Sequence, residues 1–229
     1  MSAMLPPMVV CALAAIAERA HAGASVLDAG CGDGDMTSIF TSAGLRCVGL
    51  DRSIPTTRGP AAHNAQCVFA CARVEHLPFA DQSFDIVYIG SVLQYADRPL
   101  ASRETARILR RGGLLVATEN LHGTPVARLA RLDMRLARHR HPPHLTPKHH
   151  LRRRELSLYA THLRAVTGRA FNLLTPSLYV ADCLAKRLSG GLAARANWYR
   201  YVHAMDRRLL VSMPALEHLA WNIVVCADK

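Results

Sequence analysis

The chain has 229 residues, 50% of them hydrophobic and 20% charged, with 28 Lys+Arg against 17 Asp+Glu and a formal net charge of +11. This composition excludes a disordered polyelectrolyte and leaves room for one sizeable hydrophobic core. The excess charge is uneven: residues 1–120 carry ten basic and eleven acidic side chains, whereas 121–229 carry eighteen basic, six acidic and nine of the twelve His.

In chain order, residues 9–19 have helical apolar spacing and lead into a short buried strand, 25–29. The Gly-rich turn Gly30-Cys31-Gly32-Asp33-Gly34 follows, then a helix over 35–43 and a second strand over 46–50 ending at Asp51. Residues 66–71 read as a third strand and 84–89 as a fourth closed by Gly90. A helix over 99–110, stopped by Gly112-Gly113, precedes a fifth strand at 114–118. Strands alternating with helices predict βαβ units, and so an α/β doubly wound parallel sheet covered on both faces.

The basic half is less regular. Residues 125–140 fit an amphipathic helix, with Val126, Leu129, Leu132 and Leu136 opposite Arg128, Arg131, Arg135 and Arg138. A Pro- and His-rich loop spans 139–150, and a helix is expected over 153–167, stopped by Gly168. A sixth strand is expected near 170–174, a mostly helical stretch over 176–214, and a last strand at 221–226.

Seven Cys without a CxxC pair argue against metal fingers and a disulfide framework, so reduced thiols in the cytoplasm are expected. Cys67 and Cys71, four apart in one strand, are expected to share a face and pack inward. No apolar run reaches the roughly 18–20 residues of a membrane span, and 8–17 lacks the basic flank of a secretory signal. The His of 139–150 match no metal-ligand spacing, so no metal site is assigned.

Chemistry concentrates in Asp28-Ala29-Gly30-Cys31-Gly32-Asp33-Gly34, after the first strand, paired with Asp51 at the tip of the second. Glycines at a strand-to-helix turn let backbone approach a ligand, and an acid at the next strand's tip accepts ribose hydroxyls. Position 35 is Asp rather than the third Gly of a dinucleotide site, and no Lys-Ser/Thr follows to make a Walker A loop. Asp28, Asp33 and Asp35 oppose a pyrophosphate and suit a ligand bearing positive charge.

These residues, with EHLPFADQSFDIVYIGSVLQYADRP (75–99) and RILRRGGLLVATEN (107–120), resemble class I S-adenosylmethionine-dependent methyltransferases, and most closely their small-molecule, type 11-like branch. The resemblance implies a seven-stranded sheet of order 3-2-1-4-5-7-6 with strand 7 antiparallel, in a single domain over 1–229. Residues 1–120 would form the S-adenosylmethionine-binding half. Residues 121–229 would form a basic substrate cover, with a lid at 121–168 followed by strands 6 and 7. It implies that Gly30 and Gly32, with Ala29 and Cys31 between and beside them, line the methionine moiety, with Asp28 near its amino group. Asp51, followed by Arg52, would hold the ribose; Arg73, Val74 and Glu75 would flank adenine; Ile89 and Gly90 would close the floor. Two departures stand out: Arg73 replaces the acid that usually accepts from the adenine amino group, and Gln94-Tyr95 replace a frequent His pair.

For an oxygen acceptor, His122 just beyond strand five is the candidate general base, and Tyr95 the candidate acceptor-facing group. The motif of amine-methylating enzymes is absent after strand four, so oxygen or carbon of a small acceptor is expected. Nine Lys+Arg against two acids over 128–155 favour an anionic one. An RNA acceptor is disfavoured because the basic stretch lacks interleaved aromatics for base stacking. Peripheral lipid contact through 125–140 and a donor-binding protein without turnover complete the alternatives, and the oligomeric state is left open.

Overall fold

The computed structural model of the protein describes residues 5–53, 67–122, 150–178, 181 and 196–229. Its centre is a seven-stranded sheet of order β3-β2-β1-β4-β5-β7-β6. The strands are β1 (Ser25–Ala29), β2 (Arg46–Asp51), β3 (Val68–Cys71), β4 (Phe84–Gly90), β5 (Leu109–Asn120), β6 (Arg164–Phe171) and β7 (Asn222–Asp228). The first five run parallel, and β7 pairs antiparallel with both β5 and β6. This is the order the resemblance implied, with strand 7 antiparallel.

Side-chain alternation divides the core into two layers. Leu27, Val87, Ile89, Leu115 and Ala117 face one side with helix α3 (Arg98–Ile108) and the fully buried Tyr159. Val26, Ile86, Tyr88 and Val116 face the other, under α1 (Pro7–Arg19) and α2 (Asp35–Ser42). All five residues of β1 are buried, as expected for a strand flanked on both edges and covered on both faces. In α2, Phe40 meets the Tyr88 ring edge-on at 5.6 Å. Helix α1 begins with Pro7 in its first turn, where the missing N–H costs no hydrogen bond, and its end is tied to β7 by Arg19 donating to Asp228 at 2.9 Å.

Three expectations need correction. The helix ends at Ile108, and Gly112-Gly113 lie inside β5 rather than stopping α3. Between the Phe84–Leu109 and Ile86–Leu114 pairs, one residue of β4 (Asp85) opposes four of β5 (Arg110 to Gly113), a bulge. A Cβ on Gly113 would stand 2.9 Å from the carbonyl oxygens of Arg110 and Asp85, so close backbone approach requires glycine. Second, the helix expected over 153–167 is a 3-10 turn (Arg153–Leu156) and one helical turn (Ser157–Ala160), and β6 starts at Arg164. The alternating exposure of β6 carries the register set by β7, so Gly168 sits mid-strand, and the lid boundary at 168 falls inside the sheet. Third, Cys67 and Cys71 do not share an inward face: Cys67, just before β3, is half-buried with its thiol 3.8 Å from Thr41 Oγ1, whereas Cys71 on the edge strand is exposed and its thiol meets the Arg52 carbonyl at 3.5 Å.

Helix α4 (Ala196–Ser212) and the 3-10 turn Pro214–Leu219 cover the β6 end of the sheet. The amphipathic helix expected over 125–140 lies outside the described residues, as do the Pro- and His-rich loop up to residue 149 and most of the stretch 179–195. Among the described residues no helix is long and apolar enough to cross a membrane.

Candidate active site

A cleft opens at the carboxyl edge of the sheet, between the turns that leave β1, β2, β3 and β4. The turn after β1 is held by its neighbour strand: Gly30 and Cys31 donate their amides to the Leu50 carbonyl at 2.6 and 3.0 Å. Gly30 has φ +82°, and a Cβ there would fall 2.0 Å from Val92 Cγ2. The turn after β4 therefore leans on the turn after β1, and only glycine allows the contact. Gly32 differs: a Cβ would meet no protein atom within 4 Å, so its bareness leaves open space over the turn.

Asp51 ends β2 and ties the same turn. Its Oδ2 accepts the Gly32 amide at 3.1 Å, and its Oδ1 accepts the Ser53 amide and hydroxyl at 3.1 and 3.0 Å. Asp28 lies behind, buried in β1, where Thr37 Oγ1 of α2 donates to its Oδ2 at 2.6 Å. Burial raises the Asp28 pKa to about 6; the Thr37 hydrogen bonds offset part of that, and the nearby Asp51 charge adds to it. Burial likewise pushes the Cys31 thiol up to about 12, so it is no nucleophile.

Of the residues singled out from the sequence, Gly30, Asp51, Arg52, Arg73, Val74 and Glu75 line the cleft. Gly90 and Tyr95 line it from the β4 side. Ala29 is buried at the end of β1, and Cys31 and Gly32 form the turn itself. Ile89 is a correction: it is fully buried in the core below, and Gly90, Ser91 and Val92 make the floor. His122 lies off the cleft, exposed, one residue past the Leu121–Leu151 bridge, with its amide donating to the Leu151 carbonyl at 2.8 Å. Arg52 places its guanidinium 6.0 Å from the Tyr95 ring centre, across the cleft mouth.

Arg73, standing where the family's acid is expected, is turned to Glu75, its Nη2 and Nε donating to the two carboxylate oxygens at 3.1 and 3.4 Å. Burial raises the Glu75 pKa, but the Arg73 bond and the Asp97 amide outweigh it, and the net direction is down. Glu75 is thus a charged brace between the turns after β3 and β4.

Several contributors were not singled out from the sequence. Ser91 (φ +58°) and Val92 are known as floor residues only once the two turns meet. A run of side-chain amides crosses the sheet edge: Asn172 donates to Asn222 at 2.6 Å, Asn222 to Asn120 at 2.7 Å, Asn120 to Gln94 at 3.5 Å, and Gln94 to the Ser91 carbonyl at 3.1 Å. The four side chains stand on four different strands or turns brought together by pairing, so no local motif announces the run.

The site suits a nucleoside with a cationic tail. The turn is bare at Gly30 and Gly32, a carboxylate stands at the β2 tip where hydroxyls are recognised, and Asp28 has no cation paired with it among the described residues. A carboxylate offers about four acceptor directions; the protein fills three on Asp51, so two ribose hydroxyls require Ser53 to give way.

Residues 27–117 match the family described as "Methyltransferase domain". A malonyl-[acyl-carrier protein] O-methyltransferase of Pseudescherichia vulneris is 35% identical over 113 residues, 49% of this chain and 44% of that protein. A demethylmenaquinone methyltransferase of Renibacterium salmoninarum is 35% identical over 103 residues, 44% of each. The chain thus spans less than half the length of these curated relatives. Among solved structures, Haemonchus contortus phosphoethanolamine N-methyltransferase 2 in complex with S-adenosyl-L-methionine superposes with a TM-score of 0.61 at 17% identity, covering 96% of this chain and 52% of that one.

Proposed function

We propose that this chain, which belongs to the class I S-adenosylmethionine-dependent methyltransferases, transfers a methyl group to oxygen or carbon of a small anionic acceptor. The observation that carries this reading is the Gly30–Val92 contact beside Asp51: a bare turn whose shape is fixed by packing, with a ribose-binding acid next to it. S-adenosylmethionine, when bound, supplies a methyl group activated for in-line displacement. The chain's own residues align and desolvate. Gly30 and Gly32 give the methionine part room, Asp28 faces its ammonium from within β1, Asp51 holds the ribose, and Val74 and Glu75 border the base, with Arg73 drawn aside by Glu75.

The acceptor approaches over the carboxyl edge of β4 and β5, where Tyr95 lines the cleft and His122 follows β5. Where the reacting atom is a hydroxyl oxygen or a carbon, His122 takes its proton; an ionised carboxylate needs no base. The anionic preference rests on the net +12 of residues 121–229, and the name O-methyltransferase carried by the malonyl-[acyl-carrier protein] relatives supports an oxygen acceptor. Calorimetry with S-adenosylhomocysteine, followed by labelled-methyl transfer to a panel of carboxylate, phosphate and neutral acceptors, tests the reading. Micromolar binding with turnover confined to the anionic set is expected; failure of the wild-type chain to bind the demethylated donor would end it. His122→Ala is expected to lower turnover by about 10²–10⁴-fold, with donor affinity retained; a loss under tenfold removes His122 as the base.

A further inference from the structure

Glu119 is the penultimate residue of β5 and has no exposed surface. Its Oε1 accepts two consecutive amides, those of Val92 and Leu93, each at 2.9 Å. Its Oε2 is buried and has no hydrogen-bond partner among the described residues, and the same holds for the Tyr159 hydroxyl on the next layer. The gripped residues are those of the cleft floor: Ser91 is held at φ +58°, its amide bound to the Thr118 carbonyl at 2.8 Å, and Val92 packs against the bare α-carbon of Gly30.

We propose that Glu119 is a positioning residue for the donor cleft: from inside the sheet it fixes the turn after β4, and through Val92 it holds the Gly30 turn in binding shape. The inference rests on the donor-binding reading above and adds a residue that touches neither donor nor acceptor. A left-handed serine and two amides that would otherwise be buried without partners make this turn costly to form, and one side chain answers both amides. An apolar residue of equal size would fill the space but leave Val92 N–H and Leu93 N–H unsatisfied, which explains an acid in the core.

The acid acts in its neutral form. Burial pushes the Glu119 pKa up to about 8, with the Leu93 and Val92 amides and the Arg98 charge offsetting part of the rise. The groups that face it are Arg98 from α3, itself paired with Glu155 of the 3-10 turn, Tyr159 from the helical turn, and Tyr88 from β4. A neutral carboxyl needs only its carbonyl oxygen to accept both amides, and its proton resides on Oε2. Because the folded pKa lies above the ordinary 4.5, the Glu119 contribution to stability is fully present below that value and is lost as pH rises through 8.

Glu119→Gln keeps the carbonyl and removes the titration; Glu119→Leu removes the acceptor. In the donor-free protein, amide hydrogen exchange at Val92 and Leu93 is expected to accelerate at least tenfold in Glu119→Leu and to stay near wild type in Glu119→Gln. S-adenosylhomocysteine affinity is expected to fall at least tenfold in Glu119→Leu and to recover to within threefold in Glu119→Gln. Between pH 6 and 9 the urea midpoint of the wild type is expected to drop relative to that of Glu119→Gln. Should Glu119→Leu fail to fold, Glu119→Asp, one methylene short, carries the same exchange and affinity expectations. Unchanged exchange or affinity in the acceptor-deficient variant, a Gln variant as impaired as Leu, or parallel pH curves would overturn the proposal. Absent binding by the wild type would instead strike the donor reading, since the exchange and pH measurements need no donor.

Discussion

Asp85 and Asp28 stand on adjacent strands of one sheet, at opposite ends, and their surroundings act on the same carboxyl group in opposite directions. At the amino edge, Asp85 accepts the Ser25 amide and hydroxyl at 2.8 and 2.7 Å and both its oxygens meet Arg110 Nη1 at 2.6 and 2.7 Å. Burial raises its pKa, but the Ser25 and Arg110 bonds overcome that and bring it to about 2. At the carboxyl edge, Asp28 and Glu119 are buried with no salt bridge among the described residues, and both are raised, to about 6 and about 8. The amino edge also holds the Arg19–Asp228 pair, so guanidinium groups there neutralise the acids. Asp85, whose charge the protein satisfies, is structural, whereas Asp28, buried beside the cleft with no paired cation among the described residues, suits a ligand with positive charge; Glu119 stays a neutral brace.

The largest effect expected from breaking this asymmetry comes from Gly30→Val. The new side chain collides with Val92 and forces a β-branched residue to φ +82°. Overpacking costs about 1–3 kcal/mol, and the left-handed backbone adds about 1–3 kcal/mol. Donor affinity is expected to fall at least about 100-fold, while Gly32→Ala, which meets no protein atom, leaves the thermal midpoint much less altered. Equal midpoint losses in the two variants would show that the turns do not lean on each other.

Asp51→Ala follows. Removing a charge-assisted partner costs about 1.5–3 kcal/mol of donor binding, read by calorimetry as about 10- to 100-fold. Ser53, which loses its acceptor in the same variant, provides the control: Ser53→Ala should leave affinity unchanged or improve it, because it frees Asp51 Oδ1 for ribose. An affinity loss in Ser53→Ala matching that of Asp51→Ala would place the ribose elsewhere.

The two halves also differ in how far the sequence reveals them. For β1, β2 and β4, strand boundaries follow short apolar runs closed by Gly or Asp, and the bare turn and Asp51 are local signals, so donor-side residues are legible. The bulge at Gly112-Gly113 is not, because a glycine pair reads equally as a helix stop; only pairing with Phe84 and Ile86 decides it. The start of β6 falls at Arg164 rather than 170 because its partly exposed edge position lacks a run of large apolar residues and the preceding stretch has helical composition. Glu119 and the Asn120–Asn222–Asn172 run are invisible for a further reason: their partners are 26 to 102 residues away, and function arises from register.

The smallest effect is also the sharpest test of the asymmetry, since it predicts opposite signs for the same substitution. Asp28 has a folded pKa above its ordinary 3.8, so its contribution to stability is fully present below 3.8 and lost as pH rises through about 6. Asp85 has a folded pKa below 3.8, so its contribution is present above that value and lost as pH falls through about 2. At pH 7, Asp28→Asn should therefore raise the unfolding free energy measured in urea, by about 1–2 kcal/mol, because Asn keeps an acceptor for Thr37 and carries no buried charge. Asp85→Asn should lower it by about 1 kcal/mol, discounted because Arg110 is partly exposed, and the gap to wild type should close as pH drops below 4. The stabilised Asp28→Asn protein should bind donor more weakly, and the rise in wild-type affinity between pH 5 and 7, as Asp28 ionises to meet an ammonium, should vanish in it. If both Asn variants lose stability at pH 7, the two ends of the sheet are alike, and the carboxyl edge is held for packing rather than for a cation.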